Sequence, residues 1–141
     1  MPIIYTWGYG NRHYEDLLAI IERYAVDAVV DVRRSPRGRN WMFNWSRLSV
    51  SLPIYEHRVE LGNSRTAESG WEPIDPVAAE QALDQIAARI KAGETVLLMC
   101  CEHDPKNCHR TVVANRLSER SGASVVSLPI IGAKTPELRF E

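Results

Sequence analysis

Three cysteines, two histidines, a glutamate and an arginine fall within the eleven residues Cys100–Arg110 (CCEHDPKNCHR). Cys108, His109 and Arg110 are consecutive, and Cys100 lies eight positions before Cys108. A thiol beside a cation or a helix N-terminus loses its proton more easily and becomes a nucleophile or redox group. Cys108 is therefore the expected reactive thiol, with Cys100 as its resolving or supporting partner and His109 and Glu102 managing protons. Cys101 is better explained as a small apolar residue of the interior.

Two other chemistries compete for this segment. Cys100, His103, Cys108 and His109 are all capable zinc ligands. Structural zinc pairs usually have two to four residues between ligands, whereas seven separate Cys100 from Cys108, and adjacent ligands at 108 and 109 would strain a closed tetrahedron. No metal ligand is assigned on this pattern. The segment also lacks the Gly-x-x-x-x-Gly-Lys phosphate loop, and with five residues intervening Cys100 and Cys101 are followed by Lys106 and Asn107 rather than the arginine of a phosphatase loop. No cofactor is indicated.

A second group of chemical residues begins at Asp31-Val32-Arg33. The carboxylate and guanidinium can bind a ligand, or pair with each other and with Arg110. Residues 33–47 carry Arg33, Arg34, Arg37, Arg39 and Arg47 without an acid, so they hold +5 in a chain of net charge −1, leaving −6 for the remainder. A local positive field on an acidic body favours an anionic ligand over general adhesion to nucleic acid. Trp41, Phe43 and Trp45 add rings that could stack on bases of a single strand, or could pack the loop instead. Tyr9, Asn11, His13, His57 and Tyr55 are polar residues near expected strand ends or caps, without decisive spacing.

These groups need a frame, and the chain alternates strands and helices. Residues 3–7 read as a first strand ending in the turn Gly8-Tyr9-Gly10-Asn11. Residues 13–24 place Leu17, Leu18, Ile21 and Tyr24 on one helix face. Residues 25–31 read as a strand covered on both sides. Residues 32–72, broken by Pro36, Gly38, Pro53, Gly62 and Gly70, form a long irregular insertion containing a short helix near 44–51 and an extended segment at 52–58. Asp75-Pro76 caps a helix running to about Lys91 and stopping at Gly93. Residues 95–100 form a buried strand. A helix then starts at Asp104 or Asn107 and stops near Gly122, and residues 124–128 form the last strand.

The expected fold is α/β: a single domain over residues 1–141, with a mainly parallel sheet flanked by helices. Ligands in such sheets bind beyond the carboxyl ends of the strands. Gly8–Asn11, Asp31–Arg39 and Cys100–Arg110 should therefore converge. Hydrophobic content of 45% and charged content of 25% suit a globular chain, and no apolar run approaches the ~20 residues of a membrane helix. The N-terminus lacks the pattern of a signal peptide. Three clustered cysteines are no disulfide framework, so thiols or metal ligands in a reducing, cytoplasmic setting are expected.

Together these motifs resemble the domain of unknown function 488 family over most of the chain. The most specific match is the signature Cys-x-Glu-x-x-Pro-x-x-Cys-His-Arg, met by Cys100, Glu102, Pro105, Cys108, His109 and Arg110. Asp31, Val32, Arg33 and Pro36 match its Asp-Val-Arg and following proline, and Leu61-Gly62 match part of its Leu-Gly-Gly. The family's first strand ends Thr-Ile-Gly-His-Ser-Asn; here Thr6-Trp7-Gly8-Tyr9-Gly10-Asn11 stands there, with Tyr9 in place of histidine. The resemblance implies a site in this segment but no reaction, and it carries over no histidine base or ligand at position 9.

The leading expectation is a thiol-dependent enzyme on a nucleotide-like or otherwise phosphorylated anion. Cys108, His109, Glu102 and Cys100 would do the chemistry, and Arg33, Arg110, Asp31, Asn11, Tyr9 and Arg37 would bind the ligand. The alternatives are a non-catalytic module for single-stranded nucleic acid and a small metal-binding protein. No membrane partner is expected, and no oligomeric state is indicated.

Overall fold

A computed structural model describes residues 2–9, 13–34, 41–63, 71–100 and 109–128, with the Trp41 side chain excepted. It is an α/β fold with one five-stranded, all-parallel sheet in the order β3-β2-β4-β1-β5. The strands are β1 (Ile3–Gly8), β2 (Ala28–Asp31), β3 (Tyr55–His57), β4 (Val96–Cys100) and β5 (Ser124–Ser127). The helices are α1 (Tyr14–Tyr24), α2 (Trp45–Ser51), α3 (Pro76–Lys91) and α4 (Arg110–Ser121).

Every residue of β2 and β4 is buried, as befits near-continuous apolar strands covered on both faces. Alternate residues feed two cores. Val96, Leu98 and Cys100 pack with α3 and α4 through Leu83, Ile86, Ile90, Val113 and Leu117. Leu97 and Met99 pack with α1 and α2 through Leu17, Ile20 and Leu48, together with Trp7 and Phe43. Connections running from β1 through β2 to β3 thus use one face, and those running back through β4 to β5 use the other. The right-handed crossover rule demands this division. β4 sits between β2 and β1, and its following helix lies on the face opposite theirs. Both edges of β4 are therefore switch points, the places where sheets of this kind generally bind ligands.

Local signals explain most boundaries. Asp75 caps α3 by accepting from the Val77 and Ala78 amides at 3.1 and 3.2 Å, with Pro76 in the first helical position. Asp16 accepts from the His13 amide at 2.9 Å, so His13 is a capping residue of α1. The second strand is shorter than the expected 25–31, because Ala25 closes α1 in the left-handed region at φ 52°. That conformation normally goes to glycine or asparagine. α4 begins at Arg110, later than Asp104 or Asn107, with His109 at its N-cap.

The described part of residues 32–72 holds a 3-10 turn (Trp41–Phe43), α2, edge strand β3 and a second 3-10 turn (Val59–Leu61). The second turn ends in close packing: a Cβ at Gly62 would lie 2.7 Å from the Arg34 Cα. Since Gly62 has an ordinary φ of −72°, steric room rather than backbone conformation excludes a side chain there. No described helix is long and apolar enough to cross a membrane.

Candidate functional site

The sheet register brings the roots of the three expected loops together. Gly8 pairs with Cys100, and Asp31 pairs with Met99. The Tyr9 amide donates to the Cys100 carbonyl at 2.9 Å, and the Val32 amide to the Met99 carbonyl at 3.1 Å. Asn11, Arg37, Cys101, Glu102, His103 and Cys108 lie outside the described residues.

Asp31 and Arg33 form a buried ion pair. Arg33 Nε lies 2.8 and 3.1 Å from the two carboxylate oxygens, and Nη2 lies 2.6 Å from Oδ2. Nη2 also donates to the Phe43 carbonyl at 2.7 Å, and Nη1 donates to the Tyr9 hydroxyl at 3.2 Å. Tyr55 donates to Asp31 Oδ2 at 2.5 Å. Burial disfavours the Arg33 charge, but the hydrogen bonds and charge of Asp31 win and raise its pKa. Burial, then the Asp31 charge, push the Tyr55 phenol up, so it stays a donor.

A guanidinium has five N–H donors, and the protein takes four of these. Arg33 is therefore poorly placed to bind an anion, and its charge does not belong to an exposed +5 field: it is neutralised by Asp31. Asp31 pairs with Arg33 rather than with Arg110. Tyr9, expected among the ligand-binding residues, is buried, stacks on Phe43 with centroids 4.5 Å apart, and lies under the Arg33 guanidinium.

The sulfur site lies on the other face. Cys100 closes β4 among the residues packed on α3 and α4, and its sulfur is disulfide-bonded. This corrects the expectation of a free thiol or metal ligand at Cys100. Arg110, fully buried at the first turn of α4, places Nη1 3.1 Å from Cys100 Sγ. Its guanidinium thus meets sulfur within one core, while that of Arg33 is enclosed by tyrosines and Phe43 in the other.

His109 ties the halves together. Its Nε2 lies 2.7 Å from the Val32 carbonyl, and the ring also meets the Leu61 carbonyl. Burial lowers its pKa despite these two acceptors. A neutral imidazole has one N–H, so only one carbonyl receives a proton at a time. The ring is fastened to main chain, which suits positioning of α4 better than proton transfer. A depressed folded pKa means that the unfolded chain binds the proton first, so this contribution to stability is present above the ordinary value of 6.5 and is lost as pH falls below it. In the pH window just below 6.5 stability should fall as pH falls, by no more than the ~1.4 kcal/mol per pH unit that one proton allows. Urea midpoints across that window should show the slope in the native chain and lose it in His109→Gln; an unchanged slope would refute the assignment.

Sequence reasoning underweighted β3. Asp31 is paired in register with His57, whose Nε2 lies 2.7 Å from the Arg33 carbonyl. Tyr55 and His57 alternate along that strand, a period-two signal that only gains meaning once β3 is placed beside β2. The Phe43 carbonyl has no signal in the sequence at all. Among the described residues, no three His, Cys, Asp or Glu side chains are grouped to hold a metal.

A family model, described as a domain of unknown function, DUF488, matches residues 13–117, more than half of the 141-residue chain. The chain belongs to the DUF488 family. The match takes in Asp31–Arg33, Leu61-Gly62 and the whole Cys100–Arg110 signature, but starts after the Gly8–Asn11 turn. The Tyr9 departure from the family pattern therefore lies outside the matched residues. No curated protein and no solved structure matches.

For a DUF488 domain, this arrangement gives the signature residues a physical division of labour. His109 anchors α4 to the β2 exit, Arg110 delivers buried charge to a sulfur, and Asp31-Val32-Arg33 braces the edge on which both depend.

Proposed function

We propose that this DUF488 domain is a thiol-dependent enzyme acting on a small anionic ligand, phosphorylated or nucleotide-like, at the start of α4. The observation that carries this is the contact of the fully buried Arg110 guanidinium with Cys100 Sγ at 3.1 Å. A cation and the dipole of a helix N-terminus favour a thiolate and an incoming anion alike. In this reading Cys108 is the nucleophile, Cys100 resolves it, and Glu102 moves protons. Asn11 and Arg37 extend the anion contacts, while Asp31, Arg33 and Tyr9 hold the frame. The expected cytoplasmic setting supplies thiols that return the site to its reduced form.

Thiol labelling and calorimetry of the reduced chain test it. Cys108 should label faster than a free cysteine, and Cys108→Ala should weaken binding of inorganic phosphate or a nucleoside monophosphate. Labelling at the rate of free cysteine, with ligand affinity unchanged in Cys108→Ala, would refute the proposal. The metal reading loses support at His109, whose Nε2 is bound to a carbonyl.

A further inference from the structure

Cys100 is 2% exposed, disulfide-bonded, and touched by the guanidinium of Arg110, a residue with no exposed surface. The chain has two further cysteines, Cys101 and Cys108, both outside the described residues. A structural disulfide gains little from a cation against its sulfur, since neither sulfur carries charge. A thiolate gains a great deal, because the pair forms in a buried, low-dielectric setting. Arg110 therefore favours the reduced state over the oxidised one, whatever other contacts it keeps in both. Stabilising the reduced form is what makes a disulfide oxidising and easily opened.

We infer that the Cys100 disulfide is a redox-active bond whose potential is set by Arg110. The inference rests on the reading above that the site works through sulfur, and it adds how the site is switched on and off. The reductant is a dithiol or a pair of low-molecular-weight thiols. Its thiolate attacks the partner sulfur, the S–S bond breaks, and Cys100 leaves as a thiolate onto the guanidinium. A second reductant thiolate then attacks the mixed disulfide and releases the partner cysteine. Two electrons enter the protein, the reductant becomes its own disulfide, the partner sulfur takes up a proton, and the Cys100 sulfur stays ionised.

The placement of Arg110 supports a positioning role rather than contact with the reductant. It is the first residue of α4, its neighbour His109 is fastened to the Val32 carbonyl, and Val113, Ala114 and Leu117 bury the same helix against β4. The guanidinium is held in place before any reduction, so no reorganisation is needed when charge develops on sulfur.

The test is the thiol–disulfide equilibrium of the full chain in dithiothreitol buffers, read by acid quench, alkylation and mass. Arg110→Met should shift the equilibrium toward the disulfide at least tenfold, about 30 mV, and Arg110→Lys, which keeps the charge, should shift it less. An equilibrium within twofold of the native chain in Arg110→Met overturns the inference, as does a native chain whose Cys100 stays a thiol in air. The native chain alone gives a second measurement should a variant not fold. With Cys100 ionised, reduction near pH 7 takes up one proton, so the constant changes tenfold per pH unit, about 30 mV. Uptake of two protons would cancel the two that dithiothreitol releases and leave the constant unchanged with pH, and that outcome overturns it. Phosphate affinity is measured on the same samples. A shifted equilibrium without phosphate or nucleotide binding sinks the anion reading alone; lost binding with an unmoved equilibrium sinks this inference alone.

Discussion

Asp31→Ala should destabilise the domain by about 3–5 kcal/mol, because removing one partner of a buried pair strands the other charge. Arg33 would keep a guanidinium 6% exposed, with only the Phe43 carbonyl and the Tyr9 hydroxyl to receive it. Tyr55 would lose the acceptor it meets at 2.5 Å. The loss should lower Tm by on the order of 10 °C. The double variant Asp31→Leu/Arg33→Met removes both charges at once and should recover much of this stability, since apolar replacements of a buried pair are often neutral. Thermal and urea unfolding of the three chains check the series. A loss below ~1 kcal/mol in Asp31→Ala, within the range of an exposed pair, would mean that the carboxylate is not holding Arg33, and would return both residues to the ligand.

The elements that announce themselves by local chemistry were legible in the sequence. Asp75-Pro76 starts α3 where the cap chemistry places it, and the apolar runs at 96–100 and 28–31 are buried strands. That the strand ends leading into the three loops lie side by side followed from a single rule about parallel sheets, and the register of β1, β2 and β4 shows it. What was not legible depends on partners distant in sequence. The strand order, with β4 between β2 and β1 and β3 at the edge, leaves no mark on any one segment. The charge count over residues 33–47 included Arg33 in the +5 because the window began two residues after Asp31, its partner. The division of Arg33 and Arg110 between the two faces follows from the alternation of β4, which sends Met99 to one core and Cys100 to the other. Ala25 in a left-handed cap has no residue-type signal, so the start of β2 was placed too early.

The same contrast between segment and fold decides the aromatic run, and with it the nucleic-acid alternative. Phe43 is fully buried between Trp7 and Tyr9, at centroid distances of 6.0 and 4.5 Å, and its carbonyl receives Arg33. Phe43→Ala should therefore cost about 3–5 kcal/mol, the range for emptying a buried aromatic site. Part of that loss comes from the stacking of Tyr9, which would no longer hold its hydroxyl under Arg33. Trp45, 48% exposed on α2, should change stability by less than ~0.5 kcal/mol when replaced by alanine. A stacking platform for single strands needs open rings, so Phe43 cannot serve it from inside the core, and Trp45 is the ring of the pair that could. Measuring both variants for urea midpoint and for binding of a short oligonucleotide separates the roles. Phe43→Ala should lose stability while native-state binding, if any, is unchanged, whereas salt-dependent binding lost in Trp45→Ala alone would favour the nucleic-acid module. A stable Phe43→Ala chain would show instead that the ring is not part of the core, and the aromatic run would again qualify as a ligand surface.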